Sequence, residues 1–213
     1  MEAKSETKSR VKSIIQVLRK MHPDAKLALE FANPLELLVA LILAAQARDE
    51  LVNSVTAQVF PKYPTAAAWA KVPLETLQAE LQRINFYRKK AQAIQKACRA
   101  LVERFGGRVP DRLEDLLSRP GVGRKTANII LGNAFGRQAI GVDTHVARLS
   151  QRLGLSQQTD PDKIEADLVA LVPPRSAVLF CHLLQFHGRR VCVAKKPRCA
   201  DCPLQELCPQ KIG

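Results

Sequence analysis

The sequence predicts an all-α protein. Strand signals are sparse, because the chain has few alternating β-branched segments and no Asn-Gly turn, whereas Ala and Leu are abundant. Apolar residues recur at helical spacing instead, and several of these segments carry their own start and stop signals. The 213 residues are 46% apolar and 25% charged, which is typical of a globular protein with one large or two modest domains.

The first predicted helix covers residues 11–21 and follows a short polar segment, which we expect to be a mobile tail. The next helix has a complete start signal, with Asn33 as N-cap, Pro34 at the first helical position and Glu36 two residues later. This helix is apolar on almost every side, so we expect it inside the protein.

Gln46 interrupts the apolar pattern near the end of that helix, and Asp49 is placed to cap a helix over residues 50–60. Considered alone, Gln46 is best explained as an amide satisfied by a neighbouring backbone group. Residues 74–105 contain two further predicted helices. The second of them includes residues 88–94, whose pattern resembles that of residues 124–130.

Residues 112–135 are predicted to form two helices joined by the turn Pro120-Gly121-Val122-Gly123. Pro120 cannot continue the first helix, and Gly121 and Gly123 permit backbone angles that a Cβ atom would forbid. The N–H groups that begin the second helix carry a partial positive charge and suit a phosphate group.

Arg124 and Lys125 occupy the first turn of this second helix, where the helix dipole disfavours cations. A Walker A loop would require G-x-x-x-x-G-K-[ST], but only one residue separates the two glycines here. A plain helix-turn-helix corner with a solvated lysine remains open on these residues alone.

Asp143 precedes a predicted helix over residues 146–153 and is well placed as its N-cap, a role that would explain it without any chemistry. Two further helices are predicted over residues 162–172 and 176–187. His145, His182 and His187 show no metal-ligand spacing.

The net charge is +13, which indicates a polyanionic partner. Residues 83–108 concentrate this charge, with eight basic side chains and one acidic one. The N-terminus lacks the features of a signal peptide, and the most apolar run, residues 37–47, is too short to span a bilayer. We therefore expect a cytoplasmic protein, associated with the nucleoid if it is bacterial. We also expect it to be a monomer.

Four of the six cysteines form a Cys-x6-Cys-x2-Cys-x5-Cys pattern near the C-terminus: Cys192, Cys199, Cys202 and Cys208. Zinc and an iron–sulfur cluster are both possible for four such thiolates, and the single Cys-x2-Cys pair favours the cluster. Lys195, Lys196 and Arg198 lie between the first two cysteines and are typical of a phosphate clamp. Cys98 and Cys181 are expected to be small core residues.

Taken together, the Pro-Gly-Val-Gly-Arg-Lys-Thr-Ala segment at 120–127, Val-Asp-Thr-His at 142–145 and the cysteine pattern closely resemble the endonuclease III family of DNA glycosylases. The resemblance covers nearly the whole chain. It implies a helix-hairpin-helix DNA glycosylase fold, with a six-helix barrel domain at 27–137 and a [4Fe-4S] cluster domain built from residues 1–26 and 138–213.

The resemblance also implies a bifunctional DNA glycosylase and AP lyase of base excision repair, acting on double-stranded DNA that contains oxidised pyrimidines or abasic sites. It implies Lys125 as nucleophile and Asp143 as catalytic carboxylate. Attack requires a neutral amine, which we expect Arg124, the positive helix end and partial burial to favour. The implied cluster ligands are the four C-terminal cysteines, and the implied DNA contacts are Gln46, Phe86, Tyr87, Arg88, Gly121, Gly123, Arg124, His145, Lys195, Lys196 and Arg198.

Two other functions remain open at this point. A monofunctional mismatch glycosylase of the same fold would not need Lys125. A non-catalytic DNA-binding protein would account for the net charge of +13 but not for the joint presence of Lys125 and Asp143.

Overall fold

The computed structural model describes residues 2–118 and 122–209, and within these ranges it contains eleven α-helices and no strand. The predicted all-α class is confirmed for this part of the chain. The helices are α1 (Glu2–Met21), α2 (Pro34–Ala44), α3 (Asp49–Val59), α4 (Ala66–Lys71), α5 (Leu74–Glu80), α6 (Tyr87–Phe105), α7 (Leu113–Leu117), α8 (Arg124–Phe135), α9 (Thr144–Arg152), α10 (Pro161–Leu171) and α11 (Ala177–Arg190). A 3₁₀ turn, Pro174–Ser176, leads into α11.

The chain divides into two compact units. Unit 1 combines both chain ends, Met1–Lys26 and Gly136–Gly213, and unit 2 is the continuous segment Leu27–Phe135. Unit 1 has its own apolar core, in which α1, α9, α10 and α11 pack together through side chains such as Leu18, Val146 and Phe180. Burial of these side chains is the main force that brings the two chain ends into one unit.

Unit 2 is organised around α2, which packs against α3, α6 and α8. Six of its eleven residues are buried, as its apolar sequence predicts. Trp69 of α4 is also fully buried, with its ring against those of Phe60 and Tyr63. Among the helices of the described ranges, none is both long and apolar enough to cross a membrane.

The predicted start of α2 is confirmed in atomic detail. Asn33 Oδ1 accepts a hydrogen bond from the backbone N–H of Glu36 at 3.0 Å. The Glu36 carboxylate reaches back to the backbone N–H of Ala32 at 2.6 Å and to Asn33 Nδ2 at 2.9 Å. These reciprocal bonds satisfy donors that a helix N-terminus would otherwise leave unpaired.

Two local predictions are corrected, and one helix was missed. The expected tail is helical, since α1 begins at Glu2, and Arg10 Nη1 ties it to the carbonyls of Leu153 and Leu207 at 2.7 and 3.0 Å. Asp49 is the first residue of α3, because Arg48 occupies the N-cap position. Helix α4 was not predicted, although Thr65 caps it through a 3.2 Å bond from the N–H of Ala68.

Candidate functional site

The two helices predicted within residues 112–135 are present as α7 and α8, which pack against each other in unit 2. Residues 119–121 lie outside the described residues, so the prediction for Gly121 concerns a residue that the structure does not describe. Gly123 does not have the left-handed backbone that the sequence suggested, and a Cβ atom there would meet nothing within 4 Å. The space around Gly123, rather than its own dihedral angles, would let another molecule approach the backbone closely.

Arg124 and Lys125 are the first two residues of α8, whose first turn contains no acidic side chain. Lys125 is exposed, so the expectation of partial burial was wrong, and Arg124 is half-buried. The residues that follow anchor the helix, because Ala127, Asn128 and Ile130 are buried. The exposed amine of Lys125 therefore lies at the N-terminus of α8, and the next turn of this helix is buried in the core.

Asp143 is the N-cap of α9 in unit 1, as predicted. Its Oδ1 atom accepts hydrogen bonds from the backbone N–H groups of His145 at 2.9 Å and Val146 at 2.8 Å. Because one oxygen accepts both bonds, Oδ2 is not required for the cap. The half-buried carboxylate is therefore held in one orientation by the backbone of α9.

His145 belongs to a network that sequence reasoning missed. Arg148 Nη2 lies 3.2 Å from His145 Nδ1 and donates to the carbonyls of Gly188 at 2.9 Å and Cys192 at 3.0 Å. A Cβ at Gly188 would lie 3.0 Å from both His145 Nδ1 and Arg148 Nη2, so a larger residue there would require these side chains to shift. Burial lowers the pKa of His145, with the neighbouring Asp143 carboxylate acting in the opposite direction.

Gln46 and Phe86 share an uncommon backbone conformation in unit 2. They have φ angles of 54° and 59°, and they are the two non-glycine residues with positive φ in the described ranges. Both side chains are exposed, Phe86 by 60%. The side chain of Asn85 joins the two loops, since Nδ2 donates to the Gln46 carbonyl at 3.4 Å.

The backbone carbonyl of Gln46 thus has a partner in Asn85. The side-chain amide of Gln46 is exposed, so it does not need a neighbouring backbone group to satisfy it. Tyr87 is half-buried at the start of α6, and the exposed Arg88 guanidinium lies 5.4 Å from the centre of its ring. This segment therefore presents an apolar, an aromatic and a cationic side chain one after another: Phe86, Tyr87 and Arg88.

The four C-terminal cysteines line one cavity in unit 1. All four are half-buried, whereas Cys98 and Cys181 are buried in apolar surroundings as predicted. Within the described ranges, no three His, Cys, Asp or Glu side chains are grouped closely enough to hold one metal ion. Four sulfurs that line one cavity suit a multi-atom iron–sulfur cluster, which the cysteine spacing also favoured.

Two side chains that the sequence did not single out contact these sulfurs. Arg152 Nη1 donates to Cys192 Sγ at 3.2 Å and to the Val193 carbonyl at 2.9 Å. His187 Nε2 lies 3.5 Å from Cys202 Sγ, and its Nδ1 lies 3.2 Å from His22 Nε2. Burial lowers the pKa of His187 to about 4, which keeps the ring neutral near pH 7.

The segment between the first two cysteines exposes Lys195, Lys196 and Arg198. Arg198 is also structural, because its guanidinium donates to the Arg190 carbonyl and its backbone N–H donates to the Val191 carbonyl at 3.0 Å. The two lysines therefore project from a loop that is fastened to the end of α11.

Two family models match the chain. Residues 39–174 match the HhH-GPD superfamily of base excision DNA repair proteins, and residues 192–208 match the iron–sulfur binding domain of endonuclease III. The second match spans all four cysteines of the cavity.

Similar proteins agree with these matches. Endonuclease III of Synechocystis sp. is 48% identical over 95% of this chain and 93% of its own length. Endonuclease III of Escherichia coli K12 is 40% identical over 93% and 94% of the two chains. The solved structure of a trapped endonuclease III–DNA covalent intermediate is 42% identical, covers 96% of both chains and has a TM-score of 0.86.

A thermostable thymine-DNA glycosylase has the same TM-score of 0.86 at 22% identity, which shows that the fold is shared more widely than the sequence. The chain therefore belongs to the endonuclease III family, as a DNA glycosylase and AP lyase of base excision repair that carries a [4Fe-4S] cluster.

Proposed function

We propose that this enzyme removes oxidised pyrimidines from duplex DNA through a Schiff base on Lys125 and then cleaves the strand 3′ to the abasic site. The observation that carries the proposal is the position of Lys125, exposed on the first turn of α8 with no acidic residue in that turn. A lysine there does not stabilise the helix, because a cation at a helix N-terminus is electrostatically unfavourable. Its amine is accessible to a ligand that approaches the hairpin.

The substrate must be extruded before it can react. A base inside a duplex is sterically unreachable, and flipping it out costs a few kcal/mol, least at a damaged pair. We assign Gln46 to the gap that the base leaves and Phe86 to insertion beside it. Both side chains are exposed on loops whose backbone conformations are fixed, which supports this assignment.

Breaking the N-glycosidic bond develops positive charge on the sugar, which a carboxylate stabilises. We assign this role to Asp143, because Oδ1 alone accepts both cap bonds and Oδ2 is left for the sugar. The cap bonds orient the carboxylate before substrate binds, so little reorganisation is needed during the reaction.

The amine of Lys125 must be neutral to attack C1′ of the sugar. The side chain of Lys125 is exposed when no DNA is bound, so we propose that the bound DNA itself excludes water from the amine. The Nζ–C1′ bond forms as the base leaves with the glycosidic electron pair, and sugar-ring opening gives the Schiff base. Loss of a C2′ proton then expels the 3′ phosphate, and hydrolysis of the Schiff base frees the amine.

The remaining assigned DNA contacts have distinct chemical roles. Gly121, Gly123 and Arg124 would receive the phosphate backbone at the start of α8, where N–H groups and a cation favour an anion. Tyr87, Arg88 and His145 would contact the strand near the lesion. Lys195, Lys196 and Arg198 would contact phosphates through the loop that begins at Cys192.

We assign Cys192, Cys199, Cys202 and Cys208 as the ligands of the [4Fe-4S] cluster. Their four sulfurs line one cavity, and two of them receive polar contacts from Arg152 and His187. These residues would hold the cluster, which would cross-link the C-terminal segment 192–208 within unit 1. We propose that it acts by holding the basic loop in place for DNA.

The test is covalent trapping on a duplex with an abasic site in the presence of borohydride, which reduces a Schiff base to a stable amine. Lys125→Gln should abolish the cross-link and strand cleavage but retain DNA binding. Lys89→Gln is the matched control, because Lys89 has the corresponding position in the 88–94 repeat and is also exposed. Undiminished trapping by Lys125→Gln would overturn the assignment.

A further inference from the structure

Lys90 is a buried lysine on the first turn of α6, next to the assigned DNA contacts but not among them. Its side chain is 6% exposed, whereas Arg88 and Lys89 beside it are exposed. Lys90 Nζ donates hydrogen bonds to the carbonyls of Leu43 at 2.8 Å and Ala45 at 2.6 Å. These carbonyls flank Ala44, the last residue of α2, where a helix leaves acceptors without partners.

This contact controls where the chain turns into Gln46. Ala45 leaves the helical conformation with a ψ of 113°, and Gln46 follows with a φ of 54°. Positive φ is disfavoured for a residue that carries a Cβ, so it persists only where neighbouring groups enforce it. The Lys90 ammonium holds the two carbonyls that precede this turn.

Lys90 is also connected to the second strained loop. The backbone N–H of Lys90 makes the first hydrogen bond of α6, to the Phe86 carbonyl at 3.1 Å, and Phe86 has a φ of 59°. Any residue except proline would make this bond, but it places the Lys90 side chain one helical turn from Phe86. Asn85, immediately before Phe86, donates to the Gln46 carbonyl at 3.4 Å. Lys90 and the loop before α6 therefore both hold the segment around Gln46.

Burying a lysine is unfavourable, and burial lowers the pKa of Lys90. A purely structural end to α2 would not require it, because exposed helix ends are satisfied by water or by a glycine C-cap. At this position the buried amine instead holds the two carbonyls that precede the exposed, left-handed Gln46.

We propose that Lys90 is a positioning residue whose ammonium holds Gln46 in the conformation in which it enters the DNA duplex beside Phe86. This inference rests on the duplex contacts assigned above to those two residues. Lys90 itself does not touch the substrate. Without its ammonium, the carbonyls of Leu43 and Ala45 lose their donor, and the Gln46 turn becomes free to relax.

The test measures duplex insertion directly. The probe is a duplex in which 2-aminopurine lies opposite a tetrahydrofuran abasic analogue, so that its fluorescence reports whether a side chain fills the gap. Lys90→Met keeps the length of the side chain but removes its donors. Lys96→Met is the matched control, because Lys96 is an exposed lysine on the same helix.

We expect Lys90→Met to lose most of the fluorescence response and to slow single-turnover base release roughly tenfold to a hundredfold, as small misplacements at reacting sites do. Borohydride trapping on an abasic site, where no base has to be extruded, should fall much less. Lys96→Met should respond like the unmodified enzyme. A wild-type response from a folded Lys90→Met enzyme would overturn the inference.

Three further variants keep the inference falsifiable if Lys90→Met does not fold. Asn85→Ala alters an exposed residue, removes only the bond to the Gln46 carbonyl, and should give a smaller loss of the same kind; an unchanged response would count against the inference. Gln46→Ala and Phe86→Ala test the underlying assignment. If neither alters the response, the proposed duplex contacts fail and the role of Lys90 fails with them. If both do and Lys90→Met and Asn85→Ala do not, only the role of Lys90 is rejected.

Discussion

The two roles of Asp143 can be separated by substitution, because the structure assigns the cap bonds to a single oxygen. In Asp143→Asn the amide oxygen can still accept both N–H bonds, so α9 should start at the same residue. The loss is limited to the charge–dipole interaction, about 0.3–1 kcal/mol. Asp143→Ala removes the cap bonds as well and should cost about 1–2 kcal/mol.

The rate of base release should not follow the order of stability. Both variants lack the carboxylate, so both should slow base release by on the order of 10² or more, although they differ in stability. The assay is single-turnover base release from a duplex containing thymine glycol, paired with a thermal unfolding midpoint for each variant. DNA binding should be retained by Asp143→Asn.

Asp160 provides the control, because it caps α10 in the same unit with the same pattern. Its Oδ1 accepts from the N–H groups of Asp162 and Lys163, both at 3.0 Å. Asp160→Ala should lower stability by about 1 kcal/mol and leave base release unchanged. The reasoning is refuted if Asp143→Asn releases base at the wild-type rate, because the residue would then be a cap alone.

Three further predictions concern the cluster and the stability of unit 1. Cys199→Ser should lose iron and the visible absorption of the cluster. Cys98→Ser, in the core of unit 2, should keep both. Full iron content in Cys199→Ser would reject the role of Cys199 as a ligand. Arg10→Met should lower stability by about 2 kcal/mol, measured by thermal unfolding, because it removes two hydrogen bonds from a charged donor. Burial lowers the pKa of His182 below 6.5, so the unfolded chain binds more protons, and stability should fall as pH decreases below about 6.5 by at most about 1.4 kcal/mol per pH unit. His182→Gln should make this decrease shallower, and an unchanged pH profile of the unfolding midpoint would contradict the assignment.

Local signals were sufficient for several elements of this fold. Asn33 and Glu36 specify the start of α2 through bonds within four residues, and Asp143 specifies the start of α9 in the same way. Such caps depend on sequence neighbours alone, so they can be recognised without a structure. The α1 extension could not be, because the bonds of Arg10 reach residues more than a hundred positions away.

The cysteine spacing and the order of Lys125 and Asp143 were sufficient to predict the family and the residues to test, because each pattern lies within a short segment of sequence. The tertiary structure decided what surrounds them. Arg152 and His187 contact the cysteine sulfurs only because packing brings distant segments together. The same is true of Lys90 and the two carbonyls that precede Gln46. A buried lysine and an exposed one look alike in a sequence, since their difference lies in which carbonyls the fold places beside the amine.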